Sequence, residues 1–222
     1  CATAMVHKIC HFIGESVNPY HNLAIEQYLM ETVGEDSCIL YLWQNAHTVV
    51  IGRNQNAWAE CRTSLLEAED GRLARRLSGG GAVYHDLGNL NFTFLCKDEH
   101  YDLQKQLSVI QEACRLCGID ATFSGRNDLL ADGRKFSGNA FYQNRTHAYH
   151  HGTLMVDVYK EKLGRYLSPP KAKLEAKGVS LTLGATAFDE ISADVIFKSP
   201  GIRPDIPGIL AAVEQGAELT SE

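Results

Sequence analysis

Three consecutive glycines follow two arginines in one segment, which reads Arg75-Arg76-Leu77-Ser78-Gly79-Gly80-Gly81-Ala82-Val83-Tyr84. Because glycine lacks a Cβ atom, the backbone there can approach a ligand and direct N–H groups at phosphate oxygens. Arg75 and Arg76 add permanent positive charge that can pair with phosphate or carboxylate. The segment predicts an anion-binding loop, although a turn between two strands explains a glycine run equally well. It is neither a Walker loop nor a dinucleotide fingerprint, since both required spacings are missing.

Lys135 is the second candidate for chemistry, and it lies in a predicted hairpin. Period-two alternation places Ser137 and Asn139 on the same strand face as Lys135. A lysine beside a hairpin is usually a solvated surface charge, but the neighbouring hydroxyl and amide favour a polar site. The predicted strand, two-residue turn and strand are Asp128–Ala131, Asp132-Gly133 and Arg134–Ala140.

The histidines and cysteines predict no metal site. His150 and His151 are adjacent in a predicted strand, so their side chains point to opposite faces and favour structural roles. Cys114 and Cys117 form a single C-x-x-C, and no second pair or spaced histidine completes a zinc site. Their helical spacing favours a packed helix instead. The metal ligands, if any, are therefore unknown from the residues.

Composition limits the class of protein. The chain has 222 residues, of which 45% are hydrophobic, so it fits one large domain or a domain with a fragment. No apolar run approaches the roughly 18 residues that span a bilayer, which predicts no membrane partner. Seven cysteines, an odd number, favour reduced thiols and a cytoplasmic location. The net charge of −6 is concentrated in the last 45 residues, so no basic face for nucleic acid is expected.

Periodicity predicts an α+β domain with a mixed, largely antiparallel sheet and flanking helices. A helix over Asn22–Val33 would bury a face that includes Ala24, Tyr28 and Leu29. Two strands, Cys38–Trp43 and Thr48–Ile51, read as a hairpin. The other predicted elements are strands at Arg72–Leu77, Asn89–Leu95 and Tyr149–Val156, and helices at Leu103–Cys117 and Asp157–Tyr166.

Several motifs in order resemble the lipoate-protein ligase family. They are N-L-A-[IV]-E from Asn22, T-V-V-I-G-R from Thr48, R-R-x-S-G-G-G-A-V-[FY]-H-D-x-G-N from Arg75, S-G-R-N-D, R-K-x-S-G-[SN]-A and H-H-G-T-L. The resemblance covers about residues 5–177 and is nearly continuous from Pro19 to Lys177. It implies the α+β fold that this family shares with biotin-protein ligases.

The resemblance also implies a reaction. Lipoate would be activated with ATP and Mg²⁺ to lipoyl-AMP, and the lipoyl group would pass to a lysine of a carrier protein. The implied carriers are the E2 lipoyl domains of 2-oxoacid dehydrogenases and the glycine cleavage H protein. Arg76 would contact the nucleotide, and Gly81, Ala82, Val83 and Tyr84 would line the phosphates and the activated acyl group. Lys135 would be the catalytic residue, bridging phosphate and acyl oxygens.

Two alternatives remain open at this stage. An octanoyl or lipoyl transferase on the same fold would work through a cysteine thioester, which needs a thiolate beside the acyl group. The segment Ala121–Gly133 contains no cysteine, and the chain has Ser168-Pro169-Pro170 where another branch of that family has P-C-G. A relative without catalysis could instead hold lipoate or its carrier, although Arg76 and Lys135 are intact.

The last segment departs from the family pattern. Val179–Gly184 stands where the family has S-x-R-V-x-N-L, and residues from about 173 onward resemble a fragment of a Mur ligase, UDP-N-acetylmuramoylalanine–D-glutamate ligase. All histidines, tyrosines and cysteines also precede Gly178. These features predict an incomplete catalytic domain over residues 1–177 and an atypical acidic tail over residues 178–222. The tail is expected to form a strand at Leu181 and Leu183, a strand at Val195–Phe197 and a helix at Pro207–Gln215.

Overall fold

The computed structural model describes residues 6–125, 128–168, 191–193, 195–197 and 205–220. The chain divides into two compact units, Cys1–Pro169 and Pro170–Glu222. The boundary predicted after residue 177 lies outside the described residues and stays a prediction.

The first unit is built on a seven-stranded sheet. Its strands are β1 (Lys8–Ile13), β2 (Ser37–Trp43), β6 (Asn89–Lys97), β7 (Ala121–Ser124), β8 (Asp128–Ala131), β9 (Arg134–Gln143) and β10 (His147–Met155). Their order is β1-β2-β6-β10-β9-β8-β7. Only the β1–β2 pair of this sheet is parallel. The predicted α+β class with a mixed, largely antiparallel sheet is confirmed.

A second, three-stranded sheet carries the glycine run. It contains β3 (Thr48–Ile51), β4 (Arg72–Arg75) and β5 (Val83–His85) in the order β4-β3-β5. The predicted hairpin between Cys38–Trp43 and Thr48–Ile51 is therefore wrong, because these two strands belong to different sheets. The connecting residue Asn45 is fully buried and its amide is hydrogen-bonded, so the segment is an internal crossing and not a surface turn.

Five helices lie among the described residues of the first unit, two of them packed on opposite faces of the large sheet and three beside the small sheet. They are α1 (Pro19–Thr32), α2 (Ala57–Glu60), α3 (Thr63–Ala68), α4 (Leu103–Leu116) and α5 (Lys160–Tyr166), with a 3₁₀ turn at Asp98–His100. Asn18 caps α1 by accepting from the Tyr20 N–H, and proline occupies the first helical position. Asp102 caps α4 in the same way, and Gly118, at φ +78°, follows its end. The predicted helix over Leu103–Cys117 is thus confirmed to within one residue.

The alternation of β6 separates two cores. Phe92 and Phe94 pack with Ile110 and Cys114 of α4 on one face. Leu95 packs with residues of α1 and of the neighbouring strands on the other face. This placement follows from period-two geometry, in which successive side chains point to opposite sides of a sheet. It decides which side chains of β10 face α1, where the candidate site lies.

The second unit contains a strand, a helix and a strand among its described residues. β11 (Val195–Phe197) pairs in parallel with β12 (Glu218–Thr220), and α6 (Pro207–Glu214) lies between them in sequence. The predicted strand and helix are confirmed here, while the predicted strand at Leu181 and Leu183 lies outside the described residues. Over the part of the chain that the structure describes, no helix is long and apolar enough to cross a membrane.

Candidate active site

The glycine run follows shortly after the end of β4, and the buried side chain of Arg76 forms hydrogen bonds to it. Arg76 is buried, and its Nε donates to Ser78 Oγ at 3.0 Å. Its Nη1 donates to the Val50 carbonyl at 3.1 Å, and its Nη2 donates to the carbonyls of Gly79 at 2.8 Å and Gly81 at 2.7 Å. The guanidinium therefore fixes the shape of the loop through main-chain oxygens.

Arg75 fixes the neighbouring turn. Its Nη1 donates to the carbonyls of Gly52, Arg53 and Gln55 at 3.1, 3.0 and 2.8 Å. A Cβ atom at position 52 would overlap the Gly80 carbonyl oxygen, so this turn and the glycine run touch through their backbones. The sequence suggested both arginines as anion ligands, but their hydrogen bonds in the structure stabilise the loop and the neighbouring turn.

The outer edge of the run is open. Gly79 and Gly80 are exposed, and a Cβ atom on Gly79 would meet no atom within 4 Å. Gly80 adopts φ +93°, a conformation that favours glycine. Its Cβ position would lie 4.0 Å from Ala140 Cβ on β9. The loop therefore presents backbone to solvent next to the strand that carries Lys135.

The three residues after the run are less accessible. Ala82 and Val83 are half-buried. Tyr84 is buried, and its ring stacks on that of Tyr166 with centroids 5.3 Å apart. The side chain of Tyr84 therefore belongs to the core, and its backbone pairs with that of Val49 in β3.

Lys135 lies on β9, but the predicted face-sharing with Ser137 and Asn139 is wrong. The register of β8 and β9 shifts at Phe136, which forms a bulge. The bulge changes the alternation, so Lys135 is exposed while Ser137 is fully buried. A Cβ atom on Gly138 would lie 3.5 Å from Lys135 Nζ, which places the lysine chain above this glycine.

An ion pair holds the lysine in this arrangement. Lys135 Nζ lies 2.8 Å from Asp128 Oδ1, and the two side chains are 50% and 38% exposed. The turn between them has positive φ at Asp132 and Gly133, as the predicted two-residue hairpin requires. Arg126 and Asn127 of the S-G-R-N-D motif lie outside the described residues.

A chain of buried hydrogen bonds runs beneath the loop. Ser78 Oγ lies 2.7 Å from His151 Nε2, and His151 Nδ1 lies 2.9 Å from Glu26 Oε1. The same carboxylate oxygen accepts from Thr93 Oγ1 at 2.7 Å, which in turn accepts from Trp43 Nε1 at 3.0 Å. Residues from α1, the glycine loop and three strands therefore meet at one point.

The buried polar residues of α1 were missed by the sequence analysis. The helix buries Asn22, Glu26 and Met30, whereas Ala24 and Tyr28 of the predicted face are exposed. Asn22 Nδ2 donates to two backbone carbonyls and to a side-chain oxygen of the segment before β3. Asn22 and Glu26 are four positions apart within an apolar stripe, so they share one helical face. This spacing was the sequence signal for two buried polar residues on α1.

Two further histidines are buried as neutral rings. His85 Nδ1 lies 3.1 Å from Asn45 Nδ2, and burial lowers the pKa of His85 to about 3. His150 Nε2 lies 2.9 Å from Asn139 Oδ1, and burial lowers its pKa to about 3 as well. His150 contacts Phe92 on the α4 side, whereas His151 faces α1. The predicted opposite orientation of the adjacent histidines is confirmed.

Four of the cysteines lie in environments that disfavour thiolates. Burial raises the pKa of the Cys38, Cys61 and Cys114 thiols and raises the pKa of Cys96 to about 12. Cys114 is on the buried side of α4, as the packed-helix interpretation predicted, whereas Cys117, at the end of the helix, is exposed. Within the described residues, no group of three or more His, Cys, Asp or Glu is arranged to hold a metal ion.

The family model of the lipoyl protein ligase A/B catalytic domain matches residues 18–191. The chain belongs to this family. The resemblance deduced from the sequence motifs is confirmed, and all the described site residues above lie within the matched segment. The match also runs past the predicted boundary at residue 177.

Curated relatives carry the name lipoate-protein ligase A. One from Psychrobacter cryohalolentis is 51% identical over 162 residues, which are 73% of this chain and 48% of the relative. One from Bdellovibrio bacteriovorus is 43% identical over 204 residues, which are 90% of this chain and 58% of the relative. The chain therefore spans about half the length of the curated ligases that it matches.

Solved structures of lipoate ligases share the fold. P. falciparum LipL1 in complex with lipoate has a TM-score of 0.66 at 30% identity, covering 78% of this chain and 55% of that one. A lipoate-protein ligase A bound with ATP has a TM-score of 0.64 at 23% identity, covering 98% of this chain and 90% of that one. At the lower identity the likeness concerns the fold alone.

Proposed function

We propose that the chain activates lipoate with ATP to lipoyl-AMP and transfers the lipoyl group to a lysine of a lipoyl-carrier domain. The observation that carries this proposal is the preformed glycine loop. Arg76 ties this loop to β3 through the Val50 carbonyl, and the exposed edge of the loop lies beside β9, the strand of Lys135. Relatives at 43–51% identity are named lipoate-protein ligase A, and structural neighbours contain lipoate or ATP.

The glycine loop suits a nucleotide. Exposed backbone at Gly79 and Gly80 lets phosphate oxygens approach without meeting side chains. Arg76 donates hydrogen bonds to the carbonyl oxygens of Gly79 and Gly81. In this proposal Gly81, Ala82, Val83 and Tyr84 line the phosphates and the activated acyl group through their backbone. Arg76 contributes positive charge beside the loop and keeps its shape.

Lys135 suits the charge that develops in adenylation. The reaction needs positive charge placed on phosphoryl and acyl oxygens, with little covalent help from protein. The side chain of Lys135 is 50% exposed, and that of its partner Asp128 is 38% exposed. Such surface ion pairs contribute about 0–1 kcal/mol, so exchanging this partner for phosphate oxygens costs little. Lys135 is therefore the residue that we assign to catalysis.

Mg²⁺ is proposed to enter with the triphosphate of ATP. This ion usually binds one or two protein carboxylates and completes its shell with waters and phosphates. Asp128, beside Lys135, is one carboxylate in reach of this surface.

The acceptor is proposed to be a lysine of an E2 lipoyl domain or of the glycine cleavage H protein. A bi-partite lipoate protein ligase from Thermoplasma acidophilum, studied with its E2 lipoyl domain, shares the fold with a TM-score of 0.65 at 23% identity. A transferase that works through a cysteine thioester is disfavoured, because burial raises the pKa of four thiols. A cytoplasmic location stays a prediction.

The experiment is to incubate the chain with ATP, Mg²⁺ and lipoate and to detect lipoyl-AMP by mass spectrometry. Lys135→Ala should lower its formation by about 10²- to 10³-fold, the loss expected for one preorganised donor. Lys105→Ala, on α4, is the matched control and should be as active as wild type. Equal pyrophosphate release by Lys135→Ala and wild type would refute the assignment of Lys135. Absence of lipoyl-AMP from wild type would refute the activity.

A further inference from the structure

The buried chain beneath the glycine loop has the connectivity of an activated serine. Ser78 Oγ lies 2.7 Å from His151 Nε2, and His151 Nδ1 lies 2.9 Å from Glu26 Oε1. Ser78 Oγ also accepts from Arg76 Nε, so its own proton is directed to the imidazole. Since Glu26 has only acceptor oxygens as a carboxylate, His151 carries its proton on Nδ1 and accepts at Nε2. A hydroxyl, an imidazole and a carboxylate in this order form the triad of acyl-transfer enzymes.

We infer that Ser78 is a nucleophile, and that Ser78, His151 and Glu26 together hydrolyse activated carboxylic acyl groups. The substrates are mixed anhydrides, thioesters and activated esters. This activity lies beyond the ligase reaction and needs no ATP. If the proposed function holds, lipoyl-AMP is one such substrate. The triad would then hydrolyse an adenylate that has not reacted with a carrier lysine, and this role rests on the proposed function.

Two features beside Ser78 fit the charges of acyl transfer. The Arg76 guanidinium at 3.0 Å favours the serine alkoxide over the hydroxyl. The backbone N–H groups of Gly79 and Gly80 directly follow the nucleophile, which is the usual place for donors to a tetrahedral oxyanion. Burial of Glu26 and His151 keeps the imidazole in one orientation, because β10 and α1 hold both groups.

The Ser78 hydroxyl is buried, but the residue that follows it is at the surface. Ser78 is 1% exposed, whereas the next residue, Gly79, is exposed and has open space on its Cβ side. An acyl group therefore reaches this hydroxyl only when Ser78 and Gly79 move, and the smaller the acyl group, the smaller the movement that it needs. This selects a small probe for the test.

The reaction balances without any oxidant or reductant. Ser78 Oγ forms a bond to the acyl carbon, the bond from that carbon to the leaving oxygen or sulfur breaks, and the serine proton passes to His151 Nε2. The leaving group takes the bonding electron pair and departs, and His151 gives up the proton to it or to solvent. Water then attacks the acyl-serine, passes a proton to His151 and releases the carboxylic acid, and Ser78 regains its proton.

The test uses p-nitrophenyl acetate without ATP, so a negative result leaves the ligase proposal untouched. We expect an acetyl ester on Ser78, found by peptide mapping after acid quenching, and release of p-nitrophenolate. Ser78→Ala should lose the adduct, and its rate should fall by about 10²-fold or more, the range of general-base catalysis. Thr48→Val, which removes another fully buried hydroxyl, should retain both.

Two variants separate catalysis from a structural role. His151→Gln keeps hydrogen-bonding groups but cannot act as a base, so it should fold, as judged by circular dichroism, and fail to acylate Ser78. Glu26→Gln, a change in a positioning residue, should lower the kcat for p-nitrophenyl acetate much more than it changes the KM, because the imidazole loses the carboxylate that holds it against Ser78. Acetylation confined to other residues, or equal rates for wild type, Ser78→Ala and folded His151→Gln, would overturn the inference.

Discussion

Gly152 is a residue at which a single added methyl group should be costly. It lies in β10 directly after His151, and its Cβ position is already occupied. A Cβ atom there would overlap Asn139 Oδ1 and lie 2.5 Å from Phe92 Cζ. Gly152→Ala must therefore displace a fully buried ring, and overpacking of this kind costs about 1–3 kcal/mol. The added methyl group must also move Asn139 Oδ1 away from His150 Nε2, which lies 2.9 Å from it. This breaks a hydrogen bond that contributes about 1 kcal/mol.

The expected loss is about 2–4 kcal/mol in the free energy of unfolding. It is measured from urea unfolding followed by circular dichroism, with the slope checked to be that of wild type. Gly79→Ala is the matched control, because its Cβ position meets no atom within 4 Å, and it should change stability by less than about 0.5 kcal/mol. A Gly152→Ala protein as stable as this control would refute the argument from close packing.

Three further outcomes are expected. Gly81→Val should weaken ATP and lipoate binding in calorimetry, since β-branched bulk enters the loop; unchanged affinity would mean that the run is only a turn. Changing Cys96 or Cys114 to alanine should preserve acyl transfer to the carrier, and a trapped acyl-thioester on either would favour the transferase. The free energy of unfolding should fall as pH drops from about 6.5 to about 3. Over this range His85 and His150 bind a proton in the unfolded chain but not in the fold, where their pKa values are about 3. Each histidine should therefore lower the free energy of unfolding by about 1.4 kcal/mol per pH unit. A flat pH profile over this range would contradict the assigned burial.

Local patterns predicted the elements whose signals are local. The helix α4 has an amphipathic stripe, an Asp102 cap and a glycine stop, and it was placed to within one residue. The hairpin of β8 and β9 follows from Asp132-Gly133, whose dihedral angles suit a two-residue turn. The motifs identified the family because they require no knowledge of strand pairing.

Pairing between distant segments could not be read in the same way. β2 and β3 are neighbours in sequence, yet β2 pairs with β1 and β6 while β3 pairs with β4 and β5. The burial of Asn45 between them depends on Asn22 and His85, which come from other elements. Likewise, the bulge at Phe136 moves Lys135 out of phase with Ser137, and a single extra residue in a strand leaves no compositional trace.

Apart from the Ser78 hydroxyl, the acceptors of Arg76 are carbonyl oxygens, which every amino acid carries. The side chains of its partners Val50, Gly79 and Gly81 therefore have no part in the recognition. Replacing Val50 by another β-branched residue leaves the acceptor in place, whereas replacing Arg76 removes donors to several chain segments at once. Protein engineers who wish to reshape this loop should accordingly keep the arginine and its path constant and vary the apolar side chains around it.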